Sequence, residues 1–441
     1  MDTKKLRQKI LDLAIHGKLV PQDPNDEPAS VLLERIKAEK EQLIKEGKIK
    51  RQKKSASSDK SHYGNDVPFE VPDGWVWCRL GDIGKWQAGA TPSRTCKDYY
   101  GGNIPWLKTG DLNDGYIENI PEAITVKALN ETSVKLNPAG SVLIAMYGAT
   151  IGKIGILKFP ATTNQACCAC AEFNGVRPLY LFYFLRANRD SFIEMGGGGA
   201  QPNISKEKII DTFIPIPPID EQKRIIDAIS HYFSIIAAVE YEQIALRKYV
   251  TVAKSKILDL ALSGRLTSDT SHYPQLPDGW EYKQLEEVAE IFDNVRIPLN
   301  ANERENRIRN KQSSELYPYY GATGQVGLVD EYLLEGKFLL LGEDGAPFLD
   351  KNAIKAYPVE GRFWVNNHAH ILKPKYDFDF LMYYLNGLDY KAYVSGSTRL
   401  KLTQSSMSKI KIPMPPKEEQ RQISQILNRI FKKLDSIVVD L

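Results

Sequence analysis

A sustained heptad pattern in the middle of the chain, from Ile219 to Leu262, constrains the fold more than any other feature. Apolar residues recur there in alternating steps of four and three, with only Gln243 polar at its position, and no proline lies within the stretch. This spacing is typical of a helix that packs lengthwise along another helix. At about 1.5 Å per residue, such a helix would be roughly 65 Å long. It needs a partner helix to bury its apolar seam.

The beginning of the chain repeats the end of this central stretch. Residues 9–19 read KILDLAIHGKL, and residues 256–266 read KILDLALSGRL. A further heptad after Glu418 repeats the beginning of the central stretch and then stops. We therefore expect the central helix to pair with two shorter helices, Leu6–Ile15 and Glu418–Leu441, which the two ends of the chain supply.

Two globular regions follow the same repeat. A Pro-Asp-Gly-Trp motif opens the first region at Pro72 and the second at Pro277. An Ile-Pro-x-Pro-Pro-x-x-Glu-Gln motif closes them from Ile214 and Ile412. Between the motifs lie short strand-like runs broken by glycine, proline and asparagine, with one helix-like stretch near each end. These patterns predict an α+β protein. Its two globular α/β domains are separated by an antiparallel two-helix coiled coil, in a circularly permuted pseudo-two-fold repeat.

The repeat divides the chain into six segments. They are 1–20, the first part of the helical region; 21–66, a charged helix and a basic, serine-rich linker; 67–218, the first globule; 219–266, the central helix; 267–416, the second globule; and 417–441, the closing helix. Segment 21–66 has no counterpart after the central helix. It is expected to be a solvated helix and a flexible linker, with a non-specific phosphate contact as the alternative.

The heptads also predict which residues form the seam between the paired helices. These are Leu6, Ile10, Leu13, Ile225, Ile229, Ile236, Val239, Leu246, Val250, Ile257, Leu260, Ile423, Leu427, Ile430 and Leu434.

Composition sets broader bounds. The 441 residues include 58 Lys and Arg against 55 Asp and Glu, so the net charge of +3 does not by itself indicate a nucleic-acid partner. Five cysteines, an odd number, do not suggest a disulfide framework and favour a reducing compartment. The N-terminus lacks the apolar core of a signal peptide, and no run approaches the ~20 apolar residues of a membrane span. The expected location is the cytoplasm.

The arrangement resembles the specificity subunit of type I restriction–modification systems. The resemblance rests on the paired opening motifs, the paired closing motifs and the repeated Ile-Leu-Asp-Leu-Ala helix end, and it covers essentially the whole chain. It implies that each globule is a target-recognition domain that reads one half of a split target in double-stranded DNA.

The resemblance further implies that the helices space the domains and bind two methyltransferase subunits, and that restriction and translocase subunits join the full complex. The subunit itself would have no catalytic centre and would bind no cofactor, because the methyltransferase partner uses S-adenosylmethionine. A chain with its own methyltransferase or nuclease activity, and a coiled-coil scaffold that binds only proteins, are the alternatives.

The residues give little support for catalysis. The Asn/Asp-Pro-Pro-aromatic tetrapeptide of adenine methyltransferases is absent from the sequence. The glycine-rich stretch 148–154 has three residues between its glycines where a phosphate-binding loop has four, and isoleucine where the metal-binding hydroxyl should be. The cysteines at 167, 168 and 170 are expected to be buried thiols in a strand, and no metal site is expected. A metal pair of His368 and His370 is the less favoured alternative to polar packing or a DNA contact.

Direct readout of DNA bases uses Arg or Lys on guanine, Asn or Gln on adenine, and Ser or Thr on either. The first globule offers such residues in or beside glycine-rich turns: Thr91, Ser93, Arg94, Lys108, Thr150, Lys153, Gln201 and Asn203. The second globule offers Arg296, Arg304, Arg307, Tyr320, Asn366, Asn367, Arg399 and Lys401. Residues 296–311 carry five basic side chains against two acidic ones, which predicts a basic patch. Any single one of these residues could equally be a surface charge or a turn former.

Overall fold

A computed structural model describes residues 2–49, 67–197, 203–265 and 276–439 of the chain. It divides into two compact units, Asp2–Glu240 and Tyr241–Leu441. The predicted basic run at 50–54, the serine-rich linker after it, and Gln201 lie outside the described residues. Within the described ranges, no helix is both long enough and apolar enough to cross a lipid bilayer.

The first unit contains seven helices in its described part, the last of which continues into the second unit. They are α1 Thr3–Ile15, α2 Ala29–Lys45, α3 Val126–Glu131, α4 Pro178–Ala187, α5 Arg189–Met195, α6 Lys206–Ile210 and α7 Ile219–Leu262. Its strands are β1 Val76–Arg79, β2 Gly84–Ala88, β3 Tyr100–Leu107, β4 Tyr116–Ile117, β5 Ala123–Ile124, β6 Val142–Ala145, β7 Ile154–Leu157, β8 Thr162–Thr163, β9 Cys167–Glu172 and β10 Phe213–Ile216. The predicted central helix is thus confirmed as α7.

The second unit adds five helices and eight strands in its described part. The helices are α8 Leu285–Val288, α9 Ala301–Ile308, α10 Phe378–Gly387, α11 Gln404–Ser408 and α12 Lys417–Val439. The strands are β11 Glu281–Gln284, β12 Ala289–Ile291, β13 Tyr317–Gly321, β14 Gly324–Val329, β15 Leu334–Gly342, β16 Ala356–Val365, β17 Ala369–Pro374 and β18 Lys411–Met414.

The opening and closing motifs of each globule meet in a two-stranded antiparallel ladder. In the first unit β1 pairs with β10, so that Val76 lies opposite Ile216. In the second unit β11 pairs with β18, so that Glu281 lies opposite Met414. Each ladder therefore joins the two ends of its globule where the chain enters the long helices.

The larger sheets of the two units differ. The first unit has a five-stranded sheet in the order β2-β9-β6-β7-β4 and a three-stranded sheet in the order β5-β3-β8. The second has one six-stranded sheet in the order β12-β17-β15-β16-β13-β14. In each unit, one face of the main sheet packs on the helices, and the other face has a separate apolar cluster. The globules thus share a frame at the helices and differ in what they carry on it.

Two described side-chain contacts show that α1 lies antiparallel to the first half of α7. Arg7 forms an ion pair with Glu240, with 2.9 Å between the nitrogen and the carboxylate oxygen. Further along, the side-chain amide of Gln22 donates to Glu221 at 3.1 Å. From Arg7 to Gln22 the chain thus runs towards the start of α7, in the direction opposite to α7 itself. This is the antiparallel arrangement that the heptads predict.

Two further contacts of the first unit have equivalents in the second unit, one of which joins α12 to the second half of α7. The indole of Trp75 donates to Glu221 at 3.0 Å, and the indole of Trp280 donates to Glu419 at 3.1 Å. Likewise, Arg7 lies 5.5 Å from the ring centroid of Phe233, and Lys254 lies 5.3 Å from that of Phe431. In the two repeats, Trp75 matches Trp280 and Phe233 matches Phe431. The side chains therefore follow the permuted repeat as closely as the motifs do.

The predicted seam is only partly buried. Ile10, Ile225, Ile229, Ile236, Val250, Ile423 and Leu427 are buried. Leu13, Val239, Ile257, Ile430 and Leu434 are half-buried. Leu6, Leu246 and Leu260 are exposed, at 39%, 36% and 42% of their surfaces, so their placement in a buried seam was wrong. A two-helix pair covers only a narrow stripe of each helix, and residues at its margin stay open unless a globule packs beside them.

The charged helix α2 is not a free, solvated helix, contrary to the sequence prediction. Ala29, Leu32 and Ile36 are buried in the main core of the first unit. A Cβ placed on Gly175 would approach the Leu32 Cδ1 to 2.7 Å, so α2 lies directly against that turn. The charged residues that dominate its sequence hid a three-residue apolar stripe at helical spacing.

Candidate nucleic-acid interface

Arg94 lies at the centre of the first predicted reading loop. Its guanidinium carbon is 4.5 Å from the ring centroid of Tyr100 and 5.1 Å from that of Trp106. The same group is 3.1 Å from Glu122, which also pairs with Lys108. The hydrogen bond from Lys108, and then that from Arg94, lowers the pKa of the Glu122 carboxyl. The aromatic rings and the carboxylate fix the direction of Arg94, and 56% of its side chain remains exposed.

Thr91 and Ser93 lie in the same loop, which follows β2. The hydroxyl of Thr91 donates to the side chain of Gln165, and the hydroxyl of Ser93 is 2.7 Å from that of Thr95. The loop leaves β2 at Gly89, where a Cβ would come within 2.2 Å of the Thr163 carbonyl oxygen. Only glycine fits at this close approach, so the loop is held against the segment that contains Gln165.

Thr150, Lys153 and Asn203 form a second cluster on the first globule. The Thr150 hydroxyl donates to the carbonyl of Tyr147 at 3.0 Å, and Tyr147 forms a β-bridge with Asn203. Lys153 is half-buried and forms no ion pair with a described residue. The glycine-rich turn that holds them runs into β7 rather than into a helix, which argues against a nucleotide-binding loop.

The turn at Asn164–Ala166 joins the two clusters, and the sequence prediction missed it. Gln165 accepts from Thr91 on one side, while the Ala166 carbonyl accepts from the backbone of Met146 on the other. The Asn164 side-chain oxygen is buried and has no hydrogen-bond partner. An unsatisfied amide oxygen between two sets of polar loop residues calls for a functional explanation. The polar run TTNQ at 162–165, beside an apolar strand, was the available signal.

In the second unit, Arg399 and Lys401 extend from an exposed loop held by two acidic residues. Lys401 pairs with Glu343 at 3.1 Å, and Arg399 pairs with Asp344 at 2.6 Å. Both basic side chains remain at least half exposed. The backbone of Leu402 donates to the Glu343 carbonyl at 2.7 Å. The loop is therefore held by these contacts while its two basic side chains remain open to solvent, an arrangement that suits a reading loop.

A buried polar network supports this loop from beneath. The His370 ring lies 2.5 Å from Asp293 through Nδ1 and 2.8 Å from the carbonyl of Leu402 through Nε2. Arg296 forms ion pairs with both Asp293 and Glu343. Only 14% of the Arg296 side chain is exposed, so Arg296 is part of this internal network, and its assignment as a DNA contact was wrong.

Two carboxylates and the imidazole of this network also lie close enough together to be considered as ligands of a metal ion. Oxygen and nitrogen atoms of Asp293, Glu343 and His370 lie within 4.8 Å of one another. Arg296 already neutralises both carboxylates, and Lys401 neutralises Glu343 a second time. Because cationic side chains satisfy the carboxylates, the cluster fits a structural network better than a metal site. His368 contacts Asp344 instead, so the two histidines do not form a pair.

The basic patch predicted at 296–311 is weaker than its sequence suggests. Arg307 pairs with Asp330 and Glu331 and lies over the ring of Trp364. Arg304 lies 4.6 Å from the ring centroid of Tyr319. Acidic residues distant in sequence thus offset part of the positive charge.

The remaining predicted residues lie near β13 and β16. Tyr320 is half-buried and packs edge-to-face against Phe363, with 6.0 Å between the two ring centroids. Asn366 is 7% exposed, and its side chain accepts from the backbone of His368. Asn366 therefore serves the turn, and its assignment to the DNA surface was wrong, whereas Asn367 is exposed.

The three clustered cysteines are buried in β9, as predicted. None of Cys167, Cys168 and Cys170 forms a disulfide. Burial raises the pKa of the Cys168 thiol to about 12. These thiols act as small apolar side chains of the core.

Comparison with known proteins identifies the family. The profile described as the type I restriction modification DNA specificity domain matches residues 72–246 and 277–437, which together exceed half of the chain. The chain is 28% identical over 250 residues to the MjaIX specificity subunit of Methanocaldococcus jannaschii, a match that covers 52% of this chain and 58% of that one. It is 29% identical over 304 residues to the EcoAI specificity subunit of Escherichia coli, a match that covers 66% of this chain and 48% of that subunit. The match thus spans about half the length of these curated relatives.

Solved structures agree in fold. A chain from a structure on complex assembly and conformational transition of the type I R-M system aligns with a TM-score of 0.58 at 19% identity, covering 85% of this chain and 94% of the other. The HsdS subunit from Thermoanaerobacter tengcongensis aligns with a TM-score of 0.52 at 18% identity, and the alignment covers 84% of this chain and 92% of that subunit. Two matched domains, the permuted repeat and the long helix agree with these comparisons: the chain belongs to the type I restriction–modification DNA specificity family.

Proposed function

We propose that each globule reads one half of an asymmetric bipartite target in double-stranded DNA. The observation that carries the proposal is a shared frame with different loops. The Trp75–Glu221 and Trp280–Glu419 contacts are equivalent, whereas the loops around Arg94 and Arg399 are built from different residues on different sheets. Equivalent frames would present each loop set to DNA in the same manner, and different loops would read different bases.

The two-fold relation between the repeats suggests that the globules read opposite strands. The continuous helix α7 would then set the number of unread base pairs between the half-sites. Its 44 residues correspond to roughly 65 Å of helix. In this proposal, lysine and arginine side chains contact phosphates, while the loop residues contact base edges in the major groove.

The second half of α7 supports a docking role. Tyr241, Ile244, Tyr249 and Val252 are 70%, 69%, 68% and 44% exposed. At about 100° per residue all four lie roughly 100° or more around the helix from Val250, which lies in the seam. Exposed aromatic and aliphatic side chains in a stripe are typical of a protein interface. We propose that methyltransferase subunits dock along the helices and bring S-adenosylmethionine, the reaction and the flipping of the target base.

Reconstitution tests the proposal directly. The full chain, combined with its methyltransferase subunits, should protect a bipartite sequence from nuclease digestion and should confer methylation on it. Protection without sequence preference would favour a protein-binding scaffold. Methyl transfer from S-adenosylmethionine by the isolated chain would favour an enzyme with its own active site.

A further inference from the structure

A cavity on the first unit is lined by lysines and lies outside the reading loops described above. It has a volume of about 440 Å³, and its floor includes Trp86 and Phe173. The charged residues that line it are all lysines: Lys40, Lys48, Lys85, Lys135 and Lys206. Among the described residues no carboxylate lines it, although the chain as a whole has nearly equal numbers of acidic and basic residues.

Two of these lysines form ion pairs, and three do not. Lys40 lies 3.1 Å from Asp82, and Lys48 lies 2.7 Å from Glu46. Lys85, Lys135 and Lys206 form no ion pair with any residue in the described ranges. Lys85 and Lys135 are exposed and Lys206 is half-buried. The cavity therefore carries three lysines without an ion-pair partner among the described residues, a local excess of basic side chains that the sequence does not predict, since its members are scattered over more than 160 positions.

The cavity adjoins the proposed reading loops along the chain. β2 lines the cavity from Gly84 to Gln87 and then runs to Thr91, four residues on and at most about 14 Å away. Asn203, in the second cluster, precedes Lys206 by three residues, or at most about 10 Å. Two of the segments that carry predicted base contacts thus also carry the unpaired lysines.

We propose that this lysine cavity grips the phosphate backbone of duplex DNA that flanks the half-site read by the first globule. The inference rests on the proposed function and adds a second, sequence-independent contact to it. The lysines come from four separate segments, since Lys40 and Lys48 both belong to the charged insertion, and they surround an open cavity, which suits a chain of phosphates better than one small anion. Lysine is a flexible point charge that contacts phosphate without reading sequence. The charged segment that ends at Lys48 and Ile49 supplies one wall of the cavity, which gives that insertion a role.

The test uses the full chain with all three unpaired lysines replaced: K85A/K135A/K206A. Affinity is measured at several salt concentrations for a duplex that carries the target with long flanks and for an unrelated duplex of equal length. Each lost phosphate contact should reduce the slope of log affinity against log salt by about 0.9, so the variant should lose roughly 2 to 3 units of slope. The loss of affinity should be similar on both duplexes.

A charge-matched control replaces three exposed lysines of the same unit that are already ion-paired: K37A/K127A/K158A. Their partners are Glu34, Asp98 and Glu118. This variant has the same net charge as the test variant and should keep a slope close to that of the unaltered chain. Thermal unfolding of both variants checks that they fold, which exposed lysine substitutions are expected to allow.

A second experiment varies the length of the DNA that flanks the target. When the duplex is trimmed to the target alone, the test variant and the unaltered chain should bind with similar slopes, because the flanking phosphates are gone. Equal slopes on the long duplex, a loss confined to the target sequence, or competition by an acidic peptide or inorganic phosphate while the DNA slope stays unchanged would overturn the proposal. If the unaltered chain did not distinguish target from unrelated DNA, the proposed function would fail instead.

Discussion

Glu172 shows how a single buried side chain can set the pH response of the first unit. It lies at the end of β9, its Oε1 atom is buried without a hydrogen-bond partner, and desolvation raises its pKa to about 8. At neutral pH the folded protein therefore holds a protonated carboxyl that the unfolded chain would ionise. This costs stability, because proton release accompanies unfolding.

The Glu172→Gln variant should remove this cost. Between the ordinary value of 4.5 and the raised value of about 8, the native state binds one more proton than the unfolded state. Stability should therefore fall as pH rises through that window in the unaltered chain, and this contribution should be absent in the variant. Between pH 4.5 and pH 7 the stability of the variant should therefore improve relative to that of the unaltered chain by roughly 3 kcal/mol. Denaturant unfolding at pH 5 to 8 measures the difference, and a difference that does not change with pH would refute this account.

Arg94 allows the reading role to be tested at one residue. Arg94→Ala should weaken recognition of one half-site by about 1 to 3 kcal/mol and leave the other half-site unaffected. Arg399→Ala should do the same at the opposite half-site. Binding to duplexes altered in either half measures the effect, with Lys127→Ala as an exposed control. Equal loss across unrelated sequences would make Arg94 a phosphate contact.

The sequence alone located the loops but not the partners of their side chains. Arg94, Arg399 and Lys401 were selected by residue type and by nearby turns, and they are exposed. Arg296 met the same criteria, but only 14% of its side chain is exposed, and Asp293 and Glu343 neutralise it. Glu343 is 47 positions from Arg296 along the chain, and ion pairs between residues so far apart depend on sheet topology that periodicity cannot reveal.

At the scale of elements, the residues of α7 differ in burial from one side of the helix to another. Ile236 is buried in the seam, whereas Ile244, about 80° away around the helix, lies outside the seam and is 69% exposed. The heptad predicted the length of the helix and the buried positions near its packing partners. It could not predict the exposed margin at Leu246 and Leu260, because burial there depends on how far each globule extends along the helix.

Ile236→Asp should destabilise the protein by several kcal/mol, because an unpaired charge would be buried in the seam. Ile244→Asp, the matched substitution on the open face, should change the free energy of unfolding by less than about 1 kcal/mol. It should instead weaken binding of a methyltransferase subunit. Thermal unfolding and co-purification measure the two effects. An unchanged melting temperature for Ile236→Asp would contradict the seam.

The length of α7 can be varied without changing its faces. Inserting one heptad between Glu240 and Tyr241 adds about 10 Å of helix while keeping the seam in register. If the helix sets the distance between the half-sites, the preferred spacer should grow by about three base pairs, at roughly 3.4 Å each. Selection from a library of targets with different spacers measures this. An unchanged preferred spacer would show that the helix does not set it.

For the whole molecule, the permuted repeat was the most predictable feature, and the chemistry of each globule the least. Repeated motifs such as the two Pro-Asp-Gly-Trp openings fix where each copy begins and ends, and equivalent contacts of Trp75 and Trp280 follow from them. The sheets between the motifs differ in strand number and order, and no repeated pattern predicts them. The divergent part of each copy is also the part proposed to read DNA.

Mapping methylated adenines across the host genome tests the central claim most directly. The unaltered chain should give methylation at one asymmetric bipartite sequence, and deletion of the chain should abolish it. Exchanging the first globule, residues 67–218, for that of another specificity subunit should change one half of the sequence and leave the other half and the spacer intact. Methylation that persists without the chain, or an exchange that changes both halves together, would contradict the account.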